Sequence, residues 1–148
     1  MLMSFEEILR SRIHRILKGL SRYSSLANES VIPQDFGEHL LAQDEKVLGI
    51  YENSLEDITS NIFITTVGLY IFSNGWKRLE YGNIASAYVP LGENFDKTLA
   101  NTLVIRLRSG GDISFRILGE KGKTREIWDL LRFVDRIRED FWKRHSNG

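Results

Sequence analysis

Gly122, Lys123 and Thr124 stand between a β-like run and the start of a helix, and this triplet is how a phosphate-gripping nucleotide loop ends. That chemistry needs a glycine, four intervening residues and then Gly-Lys-Ser or Gly-Lys-Thr, so that successive amides wrap the phosphates while the lysine reaches over them. The position for the first glycine holds Ile117, and the nearest upstream glycine, Gly119, leaves the loop two residues too short. The preceding strands are joined by tight antiparallel turns and offer no βαβ crossover. Gly119 to Thr124 therefore reads as a strand-to-helix turn with Thr124 as the N-cap. Lys121, Lys123 and Arg125, beside free helix amides, make a candidate weak anion contact.

The other reactive side chains are scattered. His14, His39 and His145 show no i,i+4 pairing and have no cysteine neighbours, so they read as surface histidines and not as metal ligands. The acidic pairs Asp44/Glu45, Glu56/Asp57 and Glu139/Asp140 read as solvated, because adjacent carboxylates in a strand point to opposite faces. There is no Gly-x-Ser-x-Gly elbow. With no cysteine, disulfides, thiolate nucleophiles and Cys-based zinc or iron-sulfur sites are excluded. The reading is a protein that is not an enzyme, with no catalytic residue, metal or cofactor.

Twenty acids balance twenty bases over 148 residues, so no global basic field points to nucleic acid as a partner. No apolar run approaches a bilayer crossing, and the start MLMSFEEILR carries acids where a signal peptide carries bases. A soluble, cytoplasmic chain is expected.

The elements that must position these residues are legible from period. Phe5, Ile8, Leu9, Ile13, Ile16, Leu17 and Leu20 recur at helical spacing, with Ser4 as cap and Glu6 and Glu7 in the first turn. The segment SRYSSLANESVIPQDFG then reads as a connection, which divides the chain into an arm, residues 1–38, and a main domain, residues 39–148. From Lys46 the runs KVLGIYEN, NIFITTV, LYIFSN, KRLEY and NIASAYV read as strands. Leu103, Ile105 and Leu107 alternate with Val104, Arg106 and Arg108; after the turn Ser109-Gly110-Gly111, Ile113, Phe115 and Ile117 share a face. This is an antiparallel hairpin. A helix from about Arg125 to Arg144 closes the chain, and its Trp128 and Leu131 are expected to share a core with Phe115.

Strands followed by one amphipathic helix make an α+β plan. The stretches HLLAQDEKVLGIYEN, NIFITTVGLYIFSN, YGNIASAYV and LVIRLRSGGDISFRI, with Trp128 inside the final helix, resemble the pleckstrin-homology superfold, and in detail the GRAM and bacterial PH-like families. The resemblance covers about residues 39 to 142. It implies an open antiparallel β-barrel or sandwich of about seven strands closed by the C-terminal helix, here with an extra N-terminal helix. It also implies a binding module for phospholipids, phosphoinositides or proteins. Lipid-binding members commonly use bases between the first two strands, whereas ENSLEDITS has Glu52, Glu56 and Asp57 and no base, which would repel an inositol phosphate.

The expected function is thus a non-catalytic interaction module, binding another protein or itself as a homo-oligomer. Its candidate surface is Phe5, Ile8, Leu9, Ile16, Phe63 and Val67, because NIFITTVGLYIF is apolar on both faces and the N-terminal helix, a subunit or a partner must cover the outer one. Packing of the N-terminal helix on that face, in its own subunit or in a neighbour's, is favoured over a tether. The alternative is a peripheral membrane protein that meets anionic lipid through the basic helix carrying Arg10, Arg12, Arg15, Lys18 and Arg22.

Overall fold

Ser4 begins the first helix because its hydroxyl supplies an acceptor that the helix start lacks: Oγ accepts from the Glu7 amide at 3.1 Å. The computed structural model describes residues 4–20, 22–25, 45–53, 61–72, 75–90, 102–117 and 125–146. Helix α1 spans Phe5–Arg12 and runs on into a π-helical turn, Ile13–Leu17, closed by the Lys18 amide donating to the Ile13 carbonyl at 3.0 Å. The wider turn keeps Leu9, Ile13, Leu17 and Leu20 together on one buried face.

The chain then forms a strand where the sequence reads as a connection. β1, Tyr23–Ser25, pairs antiparallel with β2, Val47–Tyr51. Gly49 makes this possible, since a Cβ there would sit 2.1 Å from the Tyr23 hydroxyl. β3 (Ile62–Thr65), β4 (Gly68–Phe72) and β5 (Trp76–Glu80) complete a five-stranded antiparallel sheet in the order β1-β2-β3-β4-β5.

A 3-10 turn, Tyr81–Asn83, leads to the second sheet, β6 (Ile84–Tyr88), β7 (Thr102–Leu107) and β8 (Asp112–Arg116), antiparallel in the order β6-β7-β8. Gly110 and Gly111 close its hairpin at φ of 109° and 85°, which glycine tolerates best. Helix α2, Arg125–Ser146, lies on β6, β7 and the 3-10 turn and against α1. The fold is α+β with two antiparallel sheets and a helix at each end of the described chain; the described strands number eight, and they do not close into one barrel.

One cluster joins all of these layers. It includes Leu9, Ile13 and Leu17 of the N-terminal helix, Ile62, Ile64, Leu69 and Ile71 of the first sheet, Leu103 and Ile105 of the second, and Ile127, Phe133, Val134 and Ile137 of α2. Each such aliphatic side chain contributes about 1.5–3 kcal/mol by leaving water. Trp128, Leu131 and Phe115 pack half-buried against this cluster.

The N-terminal helix does not cover the outer face of the first sheet, contrary to the expectation from the apolar strands. It meets α2 instead: Arg12 Nε lies 2.9 Å from Asp140 Oδ2, and the rings of Phe5 and Phe141 meet edge to face at 5.5 Å. The α2 face offers an apolar stripe and a charge partner together, whereas Ile50, Phe63 and Tyr70 on the outer sheet face form a separate cluster with Val47 and Trp76.

Candidate functional site

Strand register sets the two outer faces apart. Across the first sheet Ile50 lies opposite Phe63, Phe63 opposite Tyr70, and Tyr70 opposite Arg78. This row is apolar at one end and polar at the other. Trp76 packs edge to face on both Phe63 and Phe72, with centroids 5.5 Å away in each case. Phe63 and Tyr70 are fully buried, while Phe72 at the rim is 40% exposed.

The polar end is organised by Glu45, whose side chain is wholly buried. Tyr70 donates its phenolic proton to Oε1 at 2.9 Å, Arg78 Nη1 donates to the same oxygen at 3.1 Å, and the Thr65 hydroxyl donates to Oε2. Burial raises the Tyr70 pKa first, and the hydrogen bond to Glu45 and its charge raise it further. For Arg78, burial works downward but is outweighed by the Glu45 hydrogen bond and the neighbouring Tyr70, so its pKa rises. Each Glu45 oxygen already carries a donor. The chemistry this supports is a lock, tying the chain two residues ahead of β2 to β3, β4 and β5.

Glu45 is therefore not the solvated carboxylate that its acidic neighbour suggested. A second buried carboxylate, Glu126, accepts from the Tyr51 hydroxyl at 3.1 Å and from the Arg22 amide at 3.3 Å. Arg22 Nη1 also reaches the carbonyls of Glu52 and Asn53, and Asn53 Nδ2 donates to the Arg116 carbonyl at 2.7 Å. These bonds seam the first sheet to α2 and to the end of β8.

The outer face of the second sheet is open by contrast. Tyr88 faces Val104, which faces Ser114, and Arg106 faces Asp112. The Arg106 guanidinium lies 5.7 Å from the Tyr88 ring centroid and its Nε 3.2 Å from Asp112 Oδ1. The hydrogen bond to Asp112, followed by its charge, raises the Arg106 pKa. Tyr88, Arg106, Asp112, Ser114 and Arg116 are all exposed, although Val104 beneath them is buried.

The structure distributes the candidate surface residues. Leu9 is buried in the main core, with Phe5, Ile8 and Ile16 half-buried around it; Phe5 stands against Tyr81 and Phe141. Phe63 is buried in the separate outer cluster, so it does not join the helix residues. Val67 lies in the two-residue connection between β3 and β4, not on a strand face, and is half-buried. Lys121 and Lys123 fall outside the described residues; Arg125 opens α2, and its side chain also falls outside them. Among the described residues no three His, Asp or Glu side chains converge to hold a metal ion, and neither described helix is long and apolar enough to cross a membrane.

Sequence reasoning missed the Glu45 lock and the Tyr88, Arg106, Asp112 row. The row had a signal in the polar positions Asp112, Ser114 and Arg116, spaced by two along a strand. The lock had none within the local sequence. No family model matches the chain, and no curated protein or solved structure matches it.

Proposed function

We propose that this chain is a non-catalytic, PH-like interaction module that binds another protein or a second copy of itself. The PH-like part of the reading is supported by succession: β2 to β5 as one antiparallel meander, β6 to β8 as another, then a helix packed on the second. Fold alone does not choose a ligand, so the function rests on the surface.

The observation that carries it is the contrast between the two outer faces. The first sheet's row is buried and locked by Glu45, whereas the second sheet presents Tyr88, 38% exposed, with Arg106 against its ring and Asp112 and Arg116 exposed on β8 of the same sheet. Tyrosine and arginine beside a small apolar floor are the residue types that dominate protein interfaces. The membrane alternative needs the apolar face of α1, yet Leu9 and Leu17 are fully buried in the core. Arg12 is held by Asp140, and Arg22 by backbone carbonyls.

Sedimentation of the full chain over a range of concentrations, beside flotation with acidic-lipid vesicles, tests this reading. The expected result is a mass that rises with concentration and no flotation. Flotation that depends on acidic lipid and is lost when Arg15 and Lys18 are reversed would overturn it.

A further inference from the structure

Strand β8 pairs with β7 on one side only, among the described residues. The direction of the groups that do not face β7 follows from its hairpin. The Leu107 amide donates to the Gly111 carbonyl at 3.0 Å, so residues 107, 105 and 103 turn their backbone groups toward β8, and their partners Ile113 and Phe115 turn theirs toward β7. The Arg108 amide agrees, pointing the other way to the Asn83 carbonyl at 2.7 Å. Asp112, Ser114 and Arg116 therefore direct both amide and carbonyl outward from the sheet edge.

We infer that β8 is where two copies of this chain join, edge to edge and antiparallel about Ser114, with Asp112 of each copy opposite Arg116 of the other. The inference rests on reading the chain as an interaction module and names its partner and its register. An antiparallel ladder joins outward-directed residues only to outward-directed residues. Centring on Ser114 satisfies this at all three positions: 112 meets 116, 114 meets 114, and 116 meets 112.

The side chains agree with the backbone. Asp-Ile-Ser-Phe-Arg reads the same in both directions by chemistry: a charge, an apolar residue, a serine, an apolar residue and the opposite charge. In this register each acid faces a base on the outer face, and each half-buried Ile113 faces a Phe115 on the core side. Charges on an edge strand ordinarily prevent pairing. Opposite charges placed symmetrically about a central residue favour one antiparallel pairing: a slip of two residues leaves each charge facing a serine or nothing, and a slip of four brings like charges together. The Arg116 carbonyl already accepts from Asn53, but a carbonyl oxygen has a second lone pair for the ladder bond. A five-residue edge contact is small, so the dimer should be weak and concentration-dependent.

Sedimentation equilibrium of the full chain tests the inference through charge reversal. The wild type should move from 17.1 kDa toward twice that mass as concentration rises. Asp112→Arg and Arg116→Asp should each remain single, because every cross-strand charge pair becomes like with like. Mixing the two variants in equal amounts should restore the doubled mass, since both pairs are then complementary. Ser114→Pro provides a variant that keeps the fold, because its lost amide points away from β7; it should also remain single with the wild-type circular dichroism.

A doubled mass that survives all three substitutions would overturn the β8 assignment while leaving self-association in place. Single variants that fail to recover on mixing would overturn the register. A wild type that stays single at every concentration would overturn the inference and leave only a different protein as the module's partner.

Discussion

The phenolic oxygen of Tyr70 lies 2.9 Å from Oε1 of Glu45, and neither side chain is open to solvent. The phenol donates, so the contact depends on its proton. The folded-state pKa of Tyr70 lies above the ordinary value of 10.0, so the neutral phenol's contribution is complete below that pH and is lost as pH rises through the folded pKa. Tyr81 acts with the same sign, raised mainly by burial. Urea midpoints should hold steady up to about the ordinary tyrosine pKa and then fall. Tyr70→Phe should fall less steeply, and identical slopes in the two proteins would show that Tyr70 is not a titrating group.

Glu45→Ala should cost far more than Tyr70→Phe. Losing one hydrogen bond from the phenol is worth about 1 kcal/mol, whereas removing the carboxylate leaves Arg78, Tyr70 and Thr65 without it, a loss of about 3–5 kcal/mol. Denaturant titration of the two variants measures the difference. Equal costs would mean that the carboxylate is not the hub.

Leu17→Ala should lower global stability by about 2–5 kcal/mol, because Leu17 is fully buried in the cluster that also holds both sheets and α2. Unfolding should remain a single transition by both circular dichroism and Trp fluorescence. A helix acting as a tether would instead leave the main transition where it was.

Much of this was legible where the signal is local. Leu103, Ile105 and Leu107 against Ile113, Phe115 and Ile117 mark a hairpin because period two repeats within one short stretch, and the α2 stripe does the same at helical period. The Glu45 lock was illegible because its partners are Thr65, Tyr70 and Arg78, residues 20, 25 and 33 positions away, and no local pattern reports a distant donor. β1 was hidden for a related reason. Tyr-Ser-Ser has no strand periodicity of its own, and it forms because Gly49 leaves room for the Tyr23 ring. The helix stripe was visible, but not whether a sheet or another helix would receive it.

Gly68→Ala should destabilise the first sheet even though its backbone needs no left-handed conformation. An added Cβ would lie 2.3 Å from the Leu79 carbonyl oxygen on the neighbouring strand, and backbone cannot swing aside as a side chain does. The expected loss is about 1–3 kcal/mol, read from thermal melts. Gly19→Ala is the control, because nothing lies within 4 Å of the added carbon.

The ion pair between Arg12 and Asp140 spans 128 positions of the chain. During synthesis, then, the N-terminal helix emerges well before α2, and Leu9, Ile13 and Leu17 have no α2 to dock on until more than a hundred further residues have been added. Through that interval its greasy face is a ready target for chaperones or for neighbouring nascent chains. The two ends of the core can meet only after the intervening sheets are made, so the rate of maturation should be governed by this late closure and not by the quick local hairpins.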